Sequence, residues 1–193
     1  MSLSGRIQAL TRSAQFWPAL VLLLLLAANG VLNPQFFALT WRDGHLYGAL
    51  IDILNRAAPL MTVALGMTVV IATRGIDISV GAVVAIAAAV AASLIGGKLV
   101  IVDGQQIHAP SVAMPLALLA ALAAAALCGL FNGVLVASVG IQPIIATLIL
   151  MVAGRGIAQL ITGGQIITIY HPPYFFIGAG HLLGLPFALW LVA

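Results

Sequence analysis

Charge is what this sequence has least of. Seven basic and four acidic side chains serve 193 residues, 6% of the chain. Eleven ionised groups are too few to coat a water-facing surface, so a soluble domain of this length is excluded. The net charge is only +3 and no basic run exists, so a pI near 9.6 gives no support to nucleic-acid binding. Cysteine is almost missing as well. Cys128 stands alone, which excludes an internal disulfide and leaves the redox compartment unmarked. It reads as a small apolar packing residue. The four histidines, His45, His108, His171 and His181, are scattered over expected loops without metal-ligand spacing or adjacent carboxylates. Solvated loop residues are their default, and the clustered acid–base or metal groups of a membrane enzyme are lacking. A phosphate-binding G-x-x-x-x-G-K-[ST] loop is missing too, since Gly97-Lys98 is followed by leucine and has no upstream glycine at the required spacing. Any ATP chemistry therefore belongs to another chain, and no cofactor is expected.

What the sequence does have is apolar length. Hydrophobic residues make up 63% and the mean hydropathy is +1.22. Charge-free windows run over 13–41, 57–73, 78–97, 104–154 and 156–193. A helix rising ~1.5 Å per residue needs about 20 apolar residues to cross a hydrocarbon layer roughly 30 Å thick. The window 78–97 fits one crossing and 104–154 holds two. Unpaired backbone is excluded from lipid, so these windows are expected to be helical. A barrel would alternate with a period of two, and neither Leu22–Ala28 nor Ala117–Ala126 does.

The expected fold is all-α, a polytopic transmembrane bundle of about six spans: 16–32, 53–73, 79–97, 113–137, 143–162, and a sixth beginning near Leu183 and cut short at Ala193. Turn signals separate them: Asn33-Pro34, the Gly-Ile-Asp run at 75–77, Asp103-Gly104, Gly140 with Pro143, Gly163-Gly164 and Pro172-Pro173. Short loops point to one domain over 1–193. Arg6 and Arg12 before Leu20–Ala28 imitate a secretory leader, but the uncharged stretch from Ser13 to Trp41 is too long for one, which favours an uncleaved anchor. The flanking basic residues tie between the two faces, so only the N-terminal tail favours an inside N-terminus.

Small residues recur every fourth position at Gly81, Ala85, Ala89, Ser93 and Gly97, and again at Ala117, Ala121, Ala125, Gly129, Gly133 and Ala137. Such ridges allow helices to approach closely in lipid, and they predict packing rather than function. Polar residues in or beside spans are more telling, because charge at the bilayer centre costs at least about 2.5–3.5 kcal/mol. They are Asn55, Asp77, Asn132 and Arg155. Arg155, flanked by Gly154 and Gly156, either snorkels to the headgroups or lines a polar path. Arg74 is the expected local compensation for Asp77. Asp77 or Ser79 is positioned to cap the next helix, the preferred account on physical grounds alone, while a discontinuous membrane segment facing a transport path is the sharper alternative.

Several runs in order carry a family resemblance: Ala64-Leu65-Gly66-Met67-Thr68, Gly75-Ile76-Asp77-Ile78-Ser79-Val80-Gly81, Gly129-Leu130-Phe131-Asn132-Gly133, Ile141 to Leu148, Gly154-Arg155-Gly156 and Thr162-Gly163-Gly164-Gln165. Together they resemble the permease subunits of bacterial monosaccharide ABC importers of the ribose, xylose and galactofuranose group. Ile51–Pro59 and Met151–Gly156 look closest to the galactofuranose branch. Arg74 departs from the glycine or serine of many relatives, and Ile78 from a frequent leucine. The resemblance marks Gly75, Asp77, Ser79, Gly81 and Arg155 as signature positions.

The resemblance implies a multi-pass protein of the bacterial inner membrane, working with a second permease chain, an ATP-binding-cassette ATPase and a periplasmic sugar-binding protein, in contact with membrane lipid. It covers nearly the whole chain from the first span onward. The family's later spans and the loop that docks on the ATPase lie beyond Ala193, so the chain is expected to be the N-terminal part of a permease. A truncated or accessory membrane protein without autonomous transport is the alternative. For the sugar path, Asn55, Asn132, Gln142 and Thr147 offer neutral hydrogen-bonding groups suited to a hydroxylated substrate that must also leave, and Phe131 offers a stacking face. The same groups also serve to link helices to one another.

Overall fold

The computed structural model describes residues 14–42, 44–96, 98–102, 105–109, 111–169 and 171–192. Helix α1 (Phe16–Leu32) leads into a hairpin of β1 (Thr40–Arg42) and β2 (His45–Tyr47). Then come α2 (Ala49–Ala72), α3 (Val80–Ile95), a second hairpin of β3 (Lys98–Val102) and β4 (Gln105–Ala109), α4 (Met114–Ala137) and α5 (Pro143–Thr162). The described chain closes with α6 (Pro172–Ala179), a third hairpin of β5 (His181–Leu182) and β6 (Leu185–Pro186), and α7 (Phe187–Trp190). Helices carry the architecture, as an all-α bundle requires, and strands occur only in connections. The three hairpins are absent from the sequence reading because each is two to five residues a side, too short to show a period.

Among the described residues α2, α4 and α5 are long and apolar enough to cross a membrane, while α1 and α3 are apolar but shorter. Five of the expected spans coincide with helices within a few residues. The sixth does not begin near Leu183. That residue is at the tip of the third hairpin with φ 52°, and helix resumes only at Phe187. The Leu183-Gly184 turn, with φ 52° and 84°, reverses the chain where an apolar run alone suggests continuous helix.

Helix α3 lies between α4 and α5 and packs on both, and α4 also touches α5. On the α4 side Ala91, Ile95, Ala117 and Ala121 are buried together. On the α5 side Gly154 lets the backbones close up: a Cβ added there would stand 2.9 Å from that of Ala82. Small residues thus set this packing, as lipid leaves van der Waals contact as the main attraction between helices. Of the two expected ridges, Ala89, Ala117 and Ala121 are buried, whereas Gly81, Gly129, Gly133 and Ala137 are exposed and Gly97 lies outside the described residues. Ala82 and Ile86 take the inward positions on α3 instead. Helix α2 packs with α7, β2 and β6.

Candidate functional site

Helix α3 has 16 residues, about 24 Å at 1.5 Å each, against 24 residues in α2 and α4. It falls short of a hydrocarbon layer roughly 30 Å thick. Residues 75–79 before it are non-helical and can span up to about 17 Å, enough to make up the difference. The chain therefore ends α2, continues unwound, and starts α3 inside the bundle. Ser79 is the N-cap residue of α3 but its side chain makes no capping bond, so the simple cap expected from sequence is not what forms.

Instead Asp77 folds back on the segment. Its Oδ1 accepts the Ser79 backbone N–H at 2.7 Å and the Ser79 hydroxyl at 2.6 Å. A carboxylate only accepts, so the serine proton is committed to it and Ser79 Oγ is left as an acceptor. Asn132 Nδ2, from α4, donates to that Oγ at 3.0 Å. The amide orientation follows from this chain, and it leaves Asn132 Oδ1 buried without a partner. From α5, Thr147 Oγ1 accepts the Ile78 N–H at 3.3 Å and donates to the Pro143 carbonyl at 2.9 Å, with the Ile76 carbonyl at 3.4 Å. Ser79, Asn132 and Thr147 are 0%, 7% and 4% exposed. Side chains of the segment itself, of α4 and of α5 thus supply pairing that an unwound membrane segment lacks.

The segment, α4 and α5 enclose a cavity of about 440 Å³, lined among others by Gly75, Asp77, Gly129, Asn132, Gly133 and Thr147. The lower ridge of small residues on α4 opens this space rather than packing against a helix. The N–H groups of Ile76 and Asp77 and the second carboxylate oxygen of Asp77 have no partner among the described residues. Arg74 and Asp77 form no ion pair there, contrary to the expected compensation. Arg74 adopts φ 61° and is exposed, while Asp77 is held by Ser79 and lies beside the N-terminus of α3, whose orphan N–H groups favour a carboxylate.

The structure brings Gly75, Asp77, Ser79, Asn132 and Thr147 together. Gln142, at the N-cap of α5, lines an adjoining hollow of about 150 Å³ with Arg74 and Ile76. Phe131 is about 100° around the helix from Asn132, 47% exposed and not among the cavity-lining residues. Gly81 and Arg155 are exposed. Asn55 is on α2, apart from the cavity lining. Pro59 has no N–H to give the Asn55 carbonyl, and Asn55 Oδ1 is itself buried without a partner. Cys128 is a part-buried free thiol. The histidines are less scattered than their spacing indicates, because two hairpins bring the rings of His45 and His181 to 4.5 Å. From the sequence, Asp77 and Ser79 are capping candidates and signature positions, and neither is assigned to the sugar path. Their part in the polar chain across the helices had one available signal, a carboxylate two residues before a serine at a helix start.

A helical membrane bundle with an unwound polar segment over a cavity is the architecture of a transport permease. Residues 49–187 match the family described as branched-chain amino acid transport system / permease component, and the chain belongs to that family. It is 49% identical over 175 residues to the galactofuranose transporter permease protein of Escherichia coli (strain K12), covering 88% of this chain and 48% of that protein. It is 36% identical over 186 residues to the fructose import permease protein of Bifidobacterium longum (strain NCC 2705), covering 93% and 49%. It is 34% identical over 177 residues to the ribose import permease protein of Escherichia coli (strain K12), covering 90% and 49%. The chain spans about half the length of these relatives. No solved structure matches it.

Proposed function

We propose that the chain serves as membrane-spanning permease in an ATP-driven importer of a monosaccharide, in the bacterial inner membrane. In this reading residues 1–193 form one transmembrane unit. A second permease chain, a separate ATP-binding-cassette ATPase and a periplasmic sugar-binding protein complete the machine. The observation that carries the reading is the cavity beneath the unwound segment, lined by Asp77, Asn132 and Thr147 beside the unpaired N–H groups of Ile76 and Asp77 and the second oxygen of the Asp77 carboxylate. Donors and acceptors side by side suit a hydroxyl group, which is both. The relatives named for galactofuranose, fructose and ribose support a sugar. Asn132 and Thr147 then form the polar wall of the path, with Gln142 at its edge, and Asn55 and Phe131 serve it from outside the cavity.

The test is sugar-stimulated ATP hydrolysis by the permease reconstituted with its ATPase and binding protein, together with uptake of labelled galactofuranose, ribose and fructose. Stimulation by one sugar, falling at least tenfold in Asn132→Leu, supports the reading. A wild-type complex that assembles yet responds to none of these sugars leaves an accessory membrane protein instead.

A further inference from the structure

The connections α1–α2 and α5–α7 meet at the first and third hairpins. The two hairpins share a backbone bond, the Leu46 N–H donating to the Gly184 carbonyl at 2.8 Å. Trp41 lies over Gly184, where an added Cβ would stand 2.6 Å from its ring. Next to this junction the imidazoles of His45 and His181 face each other, centroids 4.5 Å apart at an interplanar angle of 36°. Tyr47 packs edge-on to His45 at 6.4 Å and tilted against His181 at 5.8 Å. His45 Nδ1 is buried and has no hydrogen-bond partner.

We propose that His45 and His181 form an acid-sensitive clasp between these two hairpins. Imidazole is the one side chain whose ordinary titration falls between pH 5 and 8. Neutral rings stack without penalty, and one proton is tolerated by the facing π-systems. Two protons place like charges a ring's width apart in a half-buried pocket. Among the described residues, the charged and titratable groups on the packed elements are Arg42, Tyr47, Asp52 and Arg56. Arg42 on β1 is the cross-strand partner of His45, and Tyr47 on β2 lies against both rings. Asp52 in the first turn of α2 is exposed and screened by water. β6 and α7 bring no ionisable side chain. Because α2 packs on β6 and α7, opening the clasp loosens α2 from the C-terminal elements. Acid on the hairpin face is therefore coupled to the packing of a membrane span.

Hydrogen exchange of the full chain in phosphatidylcholine nanodiscs tests this, with EDTA present and rates corrected for intrinsic pH dependence. Peptides covering 44–48 and 181–187 are expected to lose at least tenfold protection between pH 8.0 and pH 5.5, while a peptide from α4 does not change. His181→Phe, which keeps the ring and removes the proton site, is expected to hold its protection at both pH values. His181→Arg is expected to be open at both. Should His181→Phe fold poorly, His45→Gln offers a second neutral variant with the same expectation. Equal wild-type protection at the two pH values, or an acid loss that persists in a folded neutral variant, overturns the clasp. Neither outcome depends on sugar transport, so the two readings stand or fall separately.

Discussion

Arg74 occupies the position that closes helix α2. The Gly75 N–H bonds the Val70 carbonyl at 3.0 Å and the Arg74 N–H bonds Ile71 at 2.9 Å, the two bonds of a Schellman close with Arg74 left-handed. Helix α5 ends the same way with Gly163, φ 62°. A side chain with a Cβ in that conformation costs about 1 kcal/mol, so glycine is the relaxed choice at this position. Arg74→Gly is expected to raise stability by about 1 kcal/mol and Gly163→Ala to lower it by a similar amount. Reversible unfolding in mixed lipid–detergent micelles measures both. Thr147→Val keeps shape but leaves the Ile78 N–H unpaired, for an expected loss of about 1–3 kcal/mol in the same assay.

Helices in this bundle divide their labour along their length. The upper part of α4, with Ala117 and Ala121, packs on α3, and the lower part, with Gly129 and Gly133, borders the cavity. Space at the two kinds of glycine differs accordingly. Gly154→Leu drives a side chain into Ala82 and Ile86 and is expected to cost about 1–3 kcal/mol by overpacking the α3–α5 contact. Gly133 has nothing within 4 Å of an added Cβ. Gly133→Leu is expected to leave unfolding nearly unchanged and to reduce sugar uptake at least tenfold by filling the path. Parallel unfolding and uptake measurements separate the two effects, and loss of stability in Gly133→Leu would remove the distinction.

On the scale of the whole molecule, helix parity assigns the connections to faces. The hairpin-bearing connections follow odd-numbered crossings, and the tight α2–α3 and α4–α5 connections lie opposite. In a Cys128→Ala background, Tyr47→Cys and Gln165→Cys are expected to react with an impermeant maleimide from one side of sealed vesicles. Arg74→Cys and Ser138→Cys are expected to react from the other. Reaction of Tyr47→Cys and Arg74→Cys from the same side would break this alternation.

Membrane residence, helical class, and the places where helices stop were legible in the sequence. Each follows from local quantities: apolar length against bilayer thickness, scarcity of charge, and Gly or Pro at a turn. The first five spans were read to within a few residues for that reason. Tertiary structure alone decided which polar groups meet. Ser79 and Asn132 are 53 positions apart, and Ile78 and Thr147 are 69 apart. Nothing in either neighbourhood encodes the partner. The shortness of α3, the turn at Leu183 and the approach of His45 to His181 belong to the same category. A side chain's hydrogen bonds depend on how whole helices stack, and that stacking is set by small residues spread across several spans.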